Sequence, residues 1–537
     1  MHRLNGYPAY NSSSYASRME SSSTSSDLAV SHSASTGESE GEGMGLEDEA
    51  MLDSEAGSSR RYHRPRRILV HLDLKGAPPL ISYLLSLLPL FKKLGATGLV
   101  LEYEDTFPFI THQLAQLPST SFHYNRSELR ALLDEAERLD LEIIPLIQTF
   151  GHVEFILKHD AFKGLREHPW FPNCFCPTNP GTMALLKEII QQILEFHPNA
   201  ASIHIGCDEV WQLGTCEACR SRCDAAGWTR ERLFTDHVAR LADFIKSCRP
   251  DIEILIWDDM LRTAPSRVVM QSGIQERIHP VVWWYGASGC PDVWPRYTSL
   301  FPSIWCASAY KGASGSTESV PDTLLHVENH KLWTAVIADQ AEKVERWGGF
   351  ILTGWSRYDH FGVLVELLPA AIPSLALCLA TFRHGCFSEA AHQEASAALG
   401  RSQLIPIQQR PRPQPLVEKW DFPGGMICVV SHWQSNLYAK LQQFANSDLF
   451  KGWFHPHNVK RNFVNPGTVR GLMSEVNSLV TELERAEVAM LGAVAGVFPD
   501  AVAAEWIDTH LLTHIRKLRK LGDKMHQQIA VSQLQHA

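Results

Sequence analysis

The sequence predicts an α/β fold: a (β/α)8 TIM barrel with a disordered N-terminal tail and a helical C-terminal extension. The chain has 537 residues and 45% hydrophobic content, enough for a large core. Eight short apolar runs recur between residues 68 and 355, and the segments between them are long enough for crossover helices. Composition changes on both sides of this region. We therefore divide the chain into residues 1–67, 68–400 and 401–537.

The eight apolar runs are the predicted barrel strands. They show little alternation of polar and apolar residues, which is typical of parallel strands that are buried on both faces. Helix N-caps are predicted at Ser127 and at Asn179, which precedes a proline. The strands are ILVHLDL (68–74), GLVLEY (98–103), EIIPLIQ (142–148), SIHIGC (202–207), EILIWD (253–258), VVWWY (281–285), SIWCA (303–307) and GFILTGW (349–355).

The two flanking regions differ from the barrel and from each other. Residues 19–59 carry ten Asp and Glu but no Lys or Arg, so they cannot bury enough apolar surface to fold. The run RRYHRPRR (60–67) that follows is a basic linker or a nuclear-import signal. After the Pro-rich stretch at 405–415, apolar residues at helical spacing predict helices that pack on the barrel or on a partner, such as a second copy in a homodimer. These residues are Leu472, Val476, Leu479 and Leu483.

Charge and hydropathy exclude several classes of partner. The net charge of −10 argues against binding to nucleic acid or to anionic membranes. We find no apolar run of about 18 residues that could span a bilayer, and no apolar leader at the N-terminus. Twelve cysteines in so long a chain are too few for a disulfide scaffold. We expect a protein of the cytosol, the nucleus or both.

The stretch IHIGCDEVW (203–211) places Asp208 and Glu209 at the C-terminal end of the fourth predicted strand. Barrel enzymes carry their chemistry on this face. Tryptophan rings can stack on the C–H face of a sugar, and carboxylates can bind its hydroxyl groups. The predicted substrate is therefore a carbohydrate. Polar and aromatic residues lie at the ends of the other predicted strands in the same way, among them Asp73, Lys75, Glu102, Glu104, Gln148, His152, Trp257, Asp258, Asp259, Trp283, Trp284, Tyr285, Tyr310, Trp355, Arg357 and Asp359.

The two neighbouring acids do not fit the usual pair of glycosidase carboxylates. Such a pair flanks the scissile bond at a separation of about 5 to 9.5 Å, whereas chain neighbours approach from one side. The geometry permits Glu209 to donate a proton to the glycosidic oxygen while Asp208 orients a nucleophile that belongs to the substrate. A 2-acetamido group supplies such a nucleophile. With Asp208 ionised beside it, Glu209 is expected to hold its proton to a higher pH than a free glutamate.

The segment His204-x-Gly206-x-Asp208-Glu209-Val210 resembles the His-x-Gly-Gly/Ala-Asp-Glu signature of the family 20 glycoside hydrolases, the β-N-acetylhexosaminidases. The resemblance extends over residues 68–382. It implies an exo-acting enzyme without a cofactor that removes terminal N-acetylglucosamine or N-acetylgalactosamine by substrate-assisted, retaining catalysis. Further segments that carry it are HLDLKGAPP (71–79), LEYEDTFP (101–108), PLIQTFGHVEF (145–155), IWDDM (256–260) and LTGWSRYDH (352–360).

The resemblance also implies roles for single residues. Glu209 would be the general acid and base, Asp208 would orient the acetamide and stabilise the oxazolinium ion, and His152 would support both acids. Trp257, Trp283 and Trp355 would surround the acetamido group and the ring. Tyr285 or Tyr310 would bond the acetamide oxygen, and position slightly favours Tyr285.

Cys207 replaces the usual small residue of the signature, and two further departures from the family pattern matter more. No arginine matches the sugar-binding arginine of the first strand, since Arg67 is one residue away. Arg357 replaces a glutamate, which leaves Asp359 to bind the 4- and 6-hydroxyl groups. Asp259 is expected to cap a helix.

Two other functions and one metal site remain open. The barrel could be a glycosidase with a protein nucleophile such as Asp359, or a non-catalytic sugar-binding or scaffold protein. Cys216, Cys219 and Cys223 could bind zinc if Cys248 or a histidine completed the site. Since the sequence shows no second clear pair of ligands, we interpret them as reduced loop cysteines and predict no metal.

Overall fold

The computed structural model describes residues 65–111, 113–407 and 420–536, with side chains up to residue 532. The predicted disordered tail, most of the basic linker and the centre of the Pro-rich stretch lie outside these residues. Within the described part of the chain, no helix is long and apolar enough to cross a membrane.

Eight parallel strands close into a barrel, which confirms the predicted fold class. Each strand pairs with the next one along the barrel, and the last pairs with the first. The strands are β1 (Ile68–Asp73), β2 (Gly98–Glu102), β3 (Glu142–Leu146), β4 (Ser202–His204), β5 (Glu253–Trp257), β6 (His279–Trp283), β7 (Ile304–Lys311) and β8 (Trp347–Gly354). Each predicted strand overlaps an observed one, and β6 begins two residues earlier than expected.

The barrel strands are buried on both faces, as their apolar runs predict. Trp305 is a large fully buried side chain of the interior cluster. Other side chains of the same strands pack outwards against the surrounding helices. Two buried layers therefore fix the strands, and their C-terminal ends are held at one rim. The interior cluster comprises Leu69, Val100, Ile144, Leu146, Leu255, Trp257, Val281, Trp305, Ala307 and Ile351.

Helices connect the strands and follow the last one. Asn179 caps the helix that begins at Pro180, as predicted. The cap of the helix before β3 is Asn125, not Ser127, because the side chains of Asn125 and Glu128 form a capping box. The α-helices are Ile81–Leu94, Arg126–Arg138, Glu154–Leu157, Pro180–Phe196, Glu217–Ala226, Arg230–Cys248, Asp259–Arg262, Ser266–Ser272, Trp294–Leu300, Thr323–Gln340, Leu368–His384 and Glu389–Ala398, with 3-10 turns at Glu104–Thr106, Asp160–Leu165 and Ile274–Glu276.

A β-hairpin is inserted between β3 and β4. Its strands, Arg166–His168 and Phe171–Phe175, pair antiparallel. The Phe175 N–H donates to the Phe150 carbonyl at 3.2 Å, and the Val153 N–H donates to the Asn173 carbonyl at 3.3 Å. The hairpin therefore supports the loop after β3, which carries His152.

The C-terminal helices pack on the barrel. The predicted apolar stripe is buried along helix Pro466–Val494. The Leu80 N–H donates to the Val497 carbonyl at 2.8 Å, and His510 Nε2 lies 2.8 Å from the Leu364 carbonyl. The helices of this region are Gly425–Asn446, Asp448–Trp453, Pro456–Lys460, Pro466–Val494, Asp500–Ile507 and Thr513–His536, with a π-helical turn at Asp508–Leu512.

Candidate active site

Asp208 and Glu209 follow β4 at the C-terminal rim of the barrel. The chain turns sharply there, since Gly206, Cys207 and Glu209 have φ angles of 65°, 70° and 50°. On the facing loop, His152 has a φ of 50°. A non-glycine residue in this left-handed region costs about 1–3 kcal/mol. Backbone strain is thus concentrated in the segments that aim the acids and the histidine.

Two glycines allow the loop after β3 to lie against the loop after β4. A Cβ atom at Gly151 would lie 1.9 Å from the Asp208 carbonyl oxygen, and one at Gly206 would lie 1.9 Å from Gln148 Oε1. Any side chain at Gly151 would therefore push against the backbone that carries Asp208.

His152 lies between the two acids. Its Nε2 is 3.1 Å from Glu209 Oε2 and 3.6 Å from Asp208 Oδ2. Burial alone would lower the pKa of His152, but the carboxylates of Asp208 and Glu209 raise it well above its usual value. His152 is consequently a cation at neutral pH that pairs with both acids.

The two acids have opposite pKa shifts. Burial, with the negative charges of Glu209 and Glu102, raises the pKa of Asp208 to about 6. Burial would also raise the pKa of Glu209, but the hydrogen bond and the charge of His152 lower it below its usual value. The expectation that Glu209 holds its proton to high pH is therefore wrong for the free enzyme. His152 is closer to Glu209 than to Asp208 and favours the charged form of Glu209.

Asp259 belongs to the same cluster. Its Oδ2 accepts the backbone N–H of Glu209 at 2.9 Å, and its Oδ1 accepts the Trp283 Nε1–H at 3.3 Å. Burial and the charge of Asp208 raise the pKa of Asp259 to about 7. Asp259 was expected to cap a helix, and its contacts with Glu209 and Trp283 were not predicted. Because the contacts join different loops, spacing along the chain gives no signal for them.

Three tryptophans and one tyrosine lie together beside the acids. Trp257 is fully buried, and its ring centroid is 6.0 Å from that of Trp355. The rings of Trp283 and Tyr285 are 5.1 Å apart, and Trp355 Nε1 donates to the Tyr285 hydroxyl oxygen at 3.2 Å. The structure thus brings together all three predicted tryptophans and Tyr285.

Tyr310 does not join this group. It is fully buried in the layer between strands and helices, where its hydroxyl donates to the His71 carbonyl at 3.2 Å. Along β7, Trp305 and Ala307 point into the barrel, so Tyr310 falls on the opposite face. The alternation of side chains along a strand could have excluded Tyr310 from the sugar site on the basis of the sequence alone.

The positions that depart from the family pattern bond groups other than the two acids. Arg67 is at the N-terminal end of the barrel, where it bonds Glu253 at 2.7 Å. Arg357 Nη2 bonds Glu505 of a C-terminal helix at 2.8 Å. Asp359 Oδ1 accepts two backbone N–H groups, at 2.7 and 2.8 Å, and closes the turn after β8. Its role in binding hydroxyl groups stays a prediction.

A buried charged network borders the aromatic group. Lys75 Nζ lies 3.5 Å from Glu104 and 3.9 Å from Glu102, and 5.4 Å from the centroid of the Trp355 ring. His71 pairs with Glu102 at 2.9 Å. The sequence placed Lys75 and Glu102 on this rim but assigned neither a specific role. They present charged hydrogen-bonding groups beside the predicted sugar site.

Comparison with known proteins defines the class. The profile of the glycosyl hydrolase family 20 catalytic domain matches residues 87–289. The chain belongs to glycosyl hydrolase family 20, as its resemblance predicted. Among its relatives, hexosaminidase D of Homo sapiens is 38% identical over 471 residues, covering 84% of this chain and 93% of the human protein.

One more relative and one solved structure are similar to this chain. Hexosaminidase D of Bos taurus is 42% identical over 341 residues, covering 63% of this chain and 97% of the bovine protein. A solved structure of Flavobacterium johnsoniae chitobiase is 12% identical, with a TM-score of 0.47, over 88% of this chain and 73% of that chain.

Proposed function

We propose that this glycoside hydrolase is an exo-acting β-N-acetylhexosaminidase that removes terminal N-acetylglucosamine or N-acetylgalactosamine by substrate-assisted, retaining catalysis. One observation carries the mechanism: Asp208 and Glu209 are chain neighbours that share His152 at one strand end. They are therefore on the same side of any bound glycosidic bond. Family membership and the name of the relatives support the activity.

In the first step, Glu209 donates its proton to the glycosidic oxygen. The acetamide carbonyl oxygen attacks C1 as the bond from C1 to the leaving oxygen breaks, which gives an oxazolinium ion. Asp208 accepts a hydrogen bond from the acetamide N–H and stabilises the positive charge as it develops. In the second step, Glu209 takes a proton from a water molecule whose oxygen attacks C1. The bond from C1 to the acetamide oxygen breaks, which restores the acetamide and the original anomeric configuration.

Sugar binding must raise the pKa of Glu209, which is ionised in the free enzyme. The acetamide N–H favours the ionised form of Asp208, while the sugar covers Glu209 and removes water from it. Glu209 then takes up the proton that it donates in the first step. The His152 cation lies 3.1 Å from Glu209 Oε2 and is placed to supply that proton.

The aromatic group suits the acetamide. The Tyr285 oxygen accepts a hydrogen bond from Trp355, which leaves the Tyr285 hydroxyl as the donor to the acetamide carbonyl oxygen. That contact would hold the carbonyl beneath C1. Trp283 and Trp355, which are partly exposed, supply apolar surfaces for the methyl group and the sugar ring, and the buried Trp257 packs behind Trp355.

The deciding experiment compares matched aryl glycosides. The N-acetyl-β-glucosaminide and its galacto epimer should be hydrolysed, the plain β-glucoside should be almost inert, and a thiazoline mimic of the oxazolinium should inhibit strongly. NMR of the first-formed sugar should show the β-anomer. Equal rates with and without the acetamido group would instead indicate a protein nucleophile such as Asp359, and no turnover of any glycoside would indicate a binding or scaffold protein.

Two further expectations are proposals of the same kind. We propose that the enzyme acts in the cytosol or nucleus, which its twelve free cysteines support because such thiols persist under reducing conditions. We also propose a homodimer through the C-terminal helices, where Val488 and Leu491 are exposed. Cell fractionation and light scattering of the purified chain test these two points.

A further inference from the structure

Four potential metal ligands converge beside the hairpin, outside the proposed sugar site. The Sγ atoms of Cys176, Cys216 and Cys219 and a carboxylate oxygen of Glu167 all lie within 4.8 Å of one another. Cys176 Sγ is 3.5 Å from Cys216 Sγ and 3.6 Å from Cys219 Sγ, and Cys219 Sγ is 3.2 Å from Glu167 Oε2. In a tetrahedral zinc site with bonds of about 2.3 Å, two sulfurs are about 3.8 Å apart.

These ligands differ from those that spacing suggested. Cys216 and Cys219 belong to the site, but Cys223 does not, and Cys248 is exposed at the end of its helix. The other two ligands come from the hairpin: Glu167 lies in its first strand, and Cys176 follows its second. Only the fold brings them to the other two cysteines.

Neighbouring groups orient the ligands. Glu167 Oε1 accepts the backbone N–H groups of Thr215 and Cys216 at 2.7 and 3.0 Å, which turns Oε2 toward the sulfurs. Cys216 Sγ accepts the Cys219 N–H at 3.3 Å at the start of the ten-residue helix Glu217–Ala226. These donors and the helix N-terminus stabilise anionic ligands.

We propose that Cys176, Cys216, Cys219 and Glu167 bind one structural Zn²⁺ ion. The ion displaces the three thiol protons, and three thiolates with one carboxylate complete a tetrahedral shell that has no open position for a water. Such a closed shell fits a structural role and not a catalytic one.

The zinc would join two loops that meet at the acids. The hairpin is hydrogen-bonded to the loop of His152 through Phe150 and Val153. The helix that supplies Cys216 and Cys219 follows the segment of Asp208 and Glu209. The ion therefore ties the hairpin that supports the His152 loop to the segment after the acids and limits their relative movement.

The experiment measures metal on the full-length chain, purified under reducing conditions and passed over a chelating resin. Elemental analysis should find about one zinc per chain. Replacement of the zinc by Co²⁺ should produce thiolate-to-cobalt charge-transfer bands. These bands should weaken in Cys219→Ser and Glu167→Gln, and zinc should dissociate at lower chelator concentration. Cys223→Ser, on the same helix, is the matched control and should retain zinc and the full bands.

The readouts do not depend on glycosidase activity, so failure here leaves the proposed function untouched. If Cys219→Ser does not fold, the cobalt spectrum of the unaltered chain still decides whether thiolates bind the metal. A reduced chain that takes up neither ion would overturn the proposal. So would a disulfide between two of the three cysteines, seen as a mass lower by two hydrogens, or zinc that is held equally by all variants.

Discussion

The two ends of the barrel use charged side chains in opposite ways. At the N-terminal end, Arg67 bonds Glu142 at 2.9 Å, Glu253 at 2.7 Å and Ser202 at 2.8 Å, and its guanidinium lies 4.4 Å from the centroid of the Trp305 ring. Burial would raise the pKa of Glu253, but Arg67 and Arg346 lower it to about 2. Both acids in this cluster, Glu142 and Glu253, pair with an opposite charge.

At the C-terminal end, like charges are placed together. Asp208 and Glu209 share one cation, His152, and Asp259 lies against them. Burial raises the pKa of Asp208 to about 6 and that of Asp259 to about 7. The left-handed backbone of His152 and Glu209 adds strain. Charged groups at the N-terminal end of the barrel therefore stabilise the fold. Those at the C-terminal end lower its stability and keep ionisable groups poised near neutral pH.

The largest effects should come from replacing the two acids. Glu209→Gln removes the proton donor, so natural substrates with poor leaving groups should suffer most and activated aryl substrates should be partly spared. Asp208→Asn removes the charge facing the oxazolinium, so both substrate types should slow by about 10²–10³-fold. The measurement is kcat/KM over a series of leaving groups. The same leaving-group dependence in both variants would contradict the separate roles.

His152→Ala should have the next largest effect. Loss of the imidazolium removes the charge that lowers the pKa of both Asp208 and Glu209, so the acidic limb of kcat/KM should move to higher pH. At pH 7 the rate should fall by about 10–100-fold, because Asp208 is protonated more often and both acids are less well oriented. The exposed His123→Ala is the control. An unshifted pH profile in His152→Ala would show that His152 does not act through these acids.

Stability should respond oppositely at the two ends. Arg67→Ala should lower the free energy of unfolding by about 1–3 kcal/mol, because it leaves partly buried carboxylates unpaired, and kcat/KM should be unchanged. Asp208→Asn should instead raise it by about 1–2 kcal/mol at pH 8 while activity collapses. Denaturation in urea measures both. Equal losses of stability in both variants would remove the distinction between the ends.

The sign of the Asp208 effect follows from its pKa. The pKa of folded Asp208 is about 6, above the ordinary value of 3.8, so folding favours the protonated form. The ionised form costs stability as pH rises through this interval, and the cost persists above it. The advantage of Asp208→Asn should therefore be present at pH 8 and vanish below about pH 4.

The smallest expected effect is that of removing residues 1–59. The composition of this segment, with ten acidic residues, predicts that it contributes nothing to a core, so its deletion should leave turnover unchanged. Steady-state kinetics of the truncated and full-length chains provide the measurement. A folded truncation with reduced kcat would show that the tail takes part in the reaction.

Features that depend on a local pattern of residues, such as the strands and the residues that follow them, could be predicted from the sequence. Each predicted strand overlaps an observed strand because a buried parallel strand requires a short apolar run. The position of Asp208 and Glu209 at the rim follows from their place after β4. The error at β6 has a similar cause: Trp284 and Tyr285 extend its apolar run, although they have already left the strand.

Features that depend on contacts between distant segments were missed. Asp259 binds the backbone of Glu209, which is 50 residues away in the sequence. No pattern near Asp259 in the sequence indicates that contact. Cys176 reaches Cys216 only because the hairpin folds back toward the helix after β4. Tyr310 is different, since strand alternation already contained the information that its side chain points toward the helices.

The left-handed backbone conformation of several rim residues has a consequence for protein engineering. A library of variants selected only for heat resistance should collect glycine or asparagine at positions 152, 207 and 209, because these residues tolerate a positive φ. At position 207 glycine should preserve turnover, since the Cys207 thiol is buried against Thr149 in the layer between strands and helices. At positions 152 and 209 the same gain in stability would abolish activity, because it replaces His152 or Glu209. Selection for heat resistance and selection for turnover would thus agree at position 207 and conflict at positions 152 and 209.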